Sequence, residues 1–166
     1  MKGKNKMQLY VLDKNPSKAV EMLADCHIIK MCLETAQILS SVIENNHLTK
    51  SENLPKPYNP NHPVIKAIDN QFKINYVLDY NSELHKEYIR RFNKPHAYFK
   101  LVKDYFDILK KSTTIKDDFS FARDFKDFNS EKNDIVEAYR EYYRYKKSII
   151  KRWKYTNSVE PNWLLN

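Results

Sequence analysis

The sequence predicts a mainly α protein, one domain over residues 1–166, built as a bundle of about four helices around a buried long helix at residues 17–45. Three observations predict it. The segment SKAVEMLADCHIIKMCLETAQILSSVIEN holds neither Gly nor Pro, and its apolar residues recur at helical spacing. The whole chain has a single Gly, which excludes a P-loop and a dinucleotide fingerprint and argues against a hairpin-rich β fold. Later stretches repeat the helical period and are separated by Asn, Pro and Asp rather than by Gly.

Taken in order, residues 1–6 read as a mobile basic arm. MQLYVL (7–12) is apolar and β-prone, a short N-terminal strand or an extended segment packed on the core. DKNPS (13–17) is turn chemistry before a helix, with Asn15 or Ser17 as the cap. Residues 47–63 hold four of the seven prolines and form an ordered loop rather than a linker, because the flanking segments need each other for burial. His62-Pro63 opens a short helix, and residues 69–92 form a second long one, with Phe72, Tyr76, Leu84, Tyr88 and Phe92 on its apolar face. Pro95 breaks it, and residues 96–111 form the next. Residues 112–130 alternate Phe119, Phe121, Phe125 and Phe128 with charges, a loop pinned by aromatics with a short helical turn around FARDF. The last helix spans about 131–155, and the tail folds back through Trp163 and Leu164.

The central segment is apolar around most of its circumference, so it is expected to be buried. His27, Lys30, Glu34, Gln37 and Ser41 break that pattern as a strip about 80° wide. A buried charge without a partner is costly, so the strip needs a reason: a solvated edge with a Lys30–Glu34 pair, or a site. The spacing of His27 and Glu34 does not suit a helix-borne zinc site, and Lys30 would repel a cation, so no metal and no cofactor are expected. Cys26 and Cys32 sit on different helix faces, unable to bridge, and read as small buried residues in a reducing, intracellular setting. No secretory leader is expected, and the apolar runs fall short of a membrane span.

The net charge of +8 favours a polyanionic partner, chiefly nucleic acid. Seven Lys or Arg and two acids lie between Glu137 and Tyr155, interleaved with Tyr and Trp. Arg140, Arg144, Lys147, Lys151 and Arg152 are candidate phosphate contacts there, and Tyr143 is a candidate stacking ring; the same pattern also fits a core face backed by solvated charges.

Leu23-Ala24-Asp25-Cys26-His27, with Glu34 seven residues after the histidine, resembles the first long helix of the small phage-type pyrimidine-dimer DNA glycosylases. Residues 75–94 and the basic, aromatic C-terminal region resemble later parts of those proteins, so the likeness covers about half the chain. It implies an all-α DNA-repair enzyme without a cofactor. In such an enzyme an amine attacks the sugar C1′, a glutamate assists, and a Schiff base leads to strand cleavage. Carried over, Glu34 is the catalytic glutamate and His27 a helper near the sugar. The family's nucleophile is an α-amine freed by removal of the initiator Met, whereas here the bulky Lys2 follows Met1 and should block that removal. Leu33 and Gln37 stand where the family has arginines, and Lys30, without a counterpart, is a replacement amine or cation. The candidate site is therefore Glu34, His27 and Lys30 for catalysis, with Gln37, His85, Glu87 and Arg91 as substrate contacts. Two other readings fit the same residues: a non-catalytic basic nucleic-acid-binding helical protein, and a nucleotide-binding enzyme or sponge using the same pocket.

Overall fold

The computed structural model describes residues 7–165, so the arm expected at residues 1–6 lies outside it. The chain is mainly α, with helices α1 (Pro16–Glu21), α2 (Asp25–Asn45), α3 (Pro63–Lys66), α4 (Gln71–Phe92), α5 (Val102–Leu109) and α6 (Ile135–Ile149). Single 3-10 turns at Phe99–Leu101 and Asn162–Leu164 complete the regular structure among the described residues.

Residues 7–12 are extended and buried on both faces, but they pair with no strand. Side chains take the place of a ladder. Gln8 N donates to Glu34 Oε2, Tyr80 Oη donates to Tyr10 O, and Arg140 Nε donates to Leu12 O. The segment therefore threads the core, its polar backbone satisfied without a neighbouring strand.

The long helix expected over residues 17–45 is two helices. Asn15 caps α1 by accepting from Ser17 N and Lys18 N. The helix stops at Met22, and Ala24 is extended (φ −68°, ψ 157°) before α2 begins. Backbone groups freed by this break find partners from distant parts of the chain. Arg91 donates to Leu23 O (2.7 Å) and Glu21 O (3.1 Å), and Tyr155 Oη donates to Met22 O. Ala24 N donates to Tyr143 Oη, and Asp25 N to Lys154 O. No Gly or Pro marks the break, because its cause is tertiary.

Helix α2 is long and apolar enough by length and composition to cross a membrane, a test the sequence reading took the chain to fail. It is buried here against α3, α4 and α5. Asn81 Nδ2 of α4 donates to Thr35 Oγ1 of α2, and Tyr105 Oη of α5 donates to Ala36 O. Helix α4 starts after the Asn70 cap and ends at Asn93, which takes a left-handed conformation (φ 53°). Residues 110–134 form no helix, and FARDF is not a helical turn. Arg123 of that motif spends its guanidinium on the carbonyls of Lys132 and Asn133, closing the loop on itself. Phe119 packs on Phe72 and Tyr76, and Phe125 stacks on Tyr142. Helix α6 is shorter at both ends than the expected 131–155, starting from an Asp134 cap. The chain beyond Ile149 runs back to the start of α2, and the tail docks Trp163 over Arg140 and Arg144 and buries Leu164.

Candidate active site

One face of α2 is not buried. Ile29 and Leu33, expected in the core, are 48% and 38% exposed. They open onto a cleft of about 450 Å³ lined also by Met7, Lys30, Glu34, Gln37, Tyr58 and His96. Lys30, Glu34 and Gln37 of the polar strip and its apolar shoulders are thus the floor of a depression. Its walls come from the N-terminal segment, the Pro-rich loop and the loop after α4. The Pro-rich loop is tied down beside the strip: Tyr58 N donates to Ser41 Oγ, which itself donates to Gln37 O.

Glu34 is the centre of this cleft. It is 7% exposed, with Lys30 Nζ at 3.1 Å from Oε1 and Gln8 N at 3.4 Å from Oε2. Burial raises its carboxyl pKa above the ordinary value, against the opposing pull of Lys30, the Gln8 N–H and Lys146. A carboxyl so placed can hold a proton or give one up. Lys146, half-buried on α6, is a second amine beside the site. Its ammonium is disfavoured first by burial and then by the charges of Lys30 and Lys126.

His27 does not line the cleft. It is 3% exposed and boxed by Tyr10, Tyr143 and Trp153. Its Nδ1 is 2.8 Å from Tyr143 Oη and its Nε2 3.3 Å from Tyr10 Oη. Tyr143 Oη also accepts the Ala24 N–H, so one hydroxyl links the imidazole to the start of α2. Burial, with Lys146 and Lys30 adding, lowers the imidazole pKa to about 3, so the ring is neutral at pH 7.

The remaining candidates fall in three places. Glu87 and Arg91 form a buried network away from the cleft: Arg91 bonds Glu87 Oε1 at 2.7 Å and Asp25 Oδ1 at 3.0 Å. They hold the α1–α2 break and do not line the cleft. His85 is buried behind the cleft next to His96, the histidine that does line it. Of the C-terminal set, Arg140, Arg144 and Lys147 hold backbone carbonyls at Leu12, Trp163 and Leu164. Tyr143 is fully buried and can stack on no base. Lys151 and Arg152 are exposed.

Gln8, Tyr58, His96 and Lys146 were missed as site residues. Only Lys146 had a sequence signal, since it lies within the basic, aromatic stretch. Asp25 was visible within the LADCH motif, and its carboxylate accepts from Arg91, Thr156 N and Thr156 Oγ1.

A family model described as pyrimidine dimer DNA glycosylase matches residues 7–101, more than half of the chain. The match takes in the threaded segment, α1 to α4 and every residue lining the cleft. No curated protein and no solved structure matches the chain.

Proposed function

The chain belongs to the pyrimidine dimer DNA glycosylase family, and from that membership we propose that it is an intracellular DNA N-glycosylase with lyase chemistry, removing a damaged or modified base with an amine of its own. The observation that carries the reading is the buried Glu34 carboxylate paired with the Lys30 amine at 3.1 Å on the floor of an open cleft.

The pair supplies the two groups the reaction needs. Lys30 passes a proton to Glu34, whose burial favours the protonated form. The freed amine attacks C1′ of the damaged nucleotide. The C1′–N bond breaks, and its electron pair leaves with the base, which takes a proton from water. The new secondary ammonium gives a proton to the hydroxide left by that water, and its freed lone pair lets the sugar ring open. The C1′–O4′ pair goes to O4′, which takes the proton from Glu34, leaving an iminium at C1′. Glu34, now a carboxylate beside this cation, removes a C2′ proton, and the 3′ phosphate leaves. Water then hydrolyses the iminium and returns Lys30. Ile29 and Leu33, exposed on the cleft floor, offer apolar surface for a flipped base. Lys30, Lys126 and Lys146 form a basic group at the same place, suited to phosphates.

Borohydride trapping on oligonucleotides carrying a thymine dimer or an abasic site tests this. The wild type should give a covalent adduct mapping to Lys30, lost in Lys30→Ala. Glu34→Gln should lower turnover by about 10²–10⁴-fold while leaving duplex affinity unchanged. An adduct at Lys146 or at the α-amine would reassign the nucleophile. No adduct and no strand cleavage, with binding intact, would overturn the lyase reading.

A further inference from the structure

Behind the cleft, three side chains from three parts of the chain converge. Cys32 comes from α2, His85 from α4 and His96 from the loop after α4, and their ligand atoms all lie within 4.8 Å of one another. His85 is 1% exposed, and neither of its ring nitrogens has a hydrogen-bond partner. A buried imidazole with both nitrogens unsatisfied is uncommon, because each unpaired polar atom has lost its water without replacement. Cys32 is wholly buried and not in a disulfide.

We propose that Cys32, His85 and His96 form a binding site for a zinc ion, with its fourth position open to the cleft that His96 lines. Zinc accepts one thiolate and two imidazoles as protein ligands and takes water as the fourth. Tetrahedral zinc at ordinary bond lengths sets its ligand atoms about 3.3–3.6 Å apart. The cluster must therefore close by about 1 Å, within reach of side-chain rotation. The thiol binds as thiolate and gives its proton to solvent. One hydrogen bond must yield: His96 Nδ1 accepts from Tyr98 N at 3.2 Å, and a neutral imidazole has a single lone pair. Tyr98 is only partly buried, so its N–H can turn to water. The ion would tie α2, α4 and the following loop at one point and fix the His96 wall two residues along α2 from Glu34.

Sequence reasoning set metal aside on the spacing of His27 and Glu34, but these ligands are distant in sequence and meet only in the fold. The site is independent of the glycosylase reading, because binding is measured without DNA.

The test is titration of the full-length, chelator-treated protein with Co²⁺, read by absorbance. The wild type should bind one ion per chain, with a thiolate-to-cobalt band in the near ultraviolet and the intense visible bands of tetrahedral cobalt. Cys32→Ser should lose the thiolate band and Cys26→Ser should keep it. His96→Ala, at a partly exposed position that the fold tolerates, should weaken binding about tenfold or more. Zn²⁺ should displace the cobalt. A thiolate band absent at stoichiometric cobalt, present in Cys32→Ser, or unchanged in His96→Ala would overturn the site.

Discussion

At His27, three aromatic rings and two phenolic hydroxyls hold a neutral imidazole in place beside the cleft floor. Its pKa of about 3 in the fold lies below the 6.5 of a free imidazole. Between those values the unfolded chain binds a proton that the folded one refuses, so stability falls as pH drops from about 6.5 towards 3. Above that window His27 has no pH-dependent effect. The full difference is worth up to about 5 kcal/mol. Urea melts from pH 7 to pH 4 should show a shallower acid loss in His27→Gln than in the wild type, and equal slopes would remove His27 from the acid transition. Neutrality also narrows its role. His27 sits out of reach of substrate and fixes where α2 begins, through the Tyr143 hydroxyl it shares with Ala24 N.

At the level of elements, the break between α1 and α2 is the decisive feature. Arg91 bridges Glu87 and Asp25 and holds two carbonyls of the broken turn, with its own side chain entirely buried. Replacing it with Leu leaves Asp25 without its cation, Glu87 with Arg90 alone, and two carbonyls without a donor. The expected cost is about 3–5 kcal/mol, measured as a lower urea midpoint. A loss below about 1 kcal/mol would mean that the break is held by Tyr143 and Tyr155 instead. This break also marks where sequence reasoning stops. The Asn15 cap, the Pro95 stop and the helical class were legible, because each depends on nearby residues. A helix interrupted at Met22–Ala24 by an arginine from α4 and tyrosines near the C-terminus leaves no local trace. The polar strip, three of whose residues line the cleft, was legible because it interrupts an apolar helix. Its exposed flank at Ile29 and Leu33 was not, because periodicity says which residues share a face and not which face is left uncovered.

For the whole molecule, membership of a DNA glycosylase family implies DNA as the partner, and the excess of positive charge suits it. The basic residues divide by job. Arg140, Arg144 and Lys147 tie the N-terminal segment and the tail to α6, whereas Lys151 and Arg152 face solvent. Reversing the exposed pair to Glu should weaken duplex binding and reduce the slope of log affinity against log salt by about 2, since each lost phosphate contact removes about 0.9. Fluorescence anisotropy across a salt series measures it, and an unchanged slope would place the DNA path elsewhere.

The partners of the α1–α2 break come from Arg91, Tyr143, Lys154 and Tyr155, and all but the first lie near the end of the chain. During synthesis the first turn of α2 therefore waits for a segment more than a hundred residues away. The segment carrying Glu34 leaves the ribosome early, yet its starting point is fixed only once the C-terminal segment has closed over it. Such a chain sets the geometry of its cleft floor late, although every cleft residue is already present.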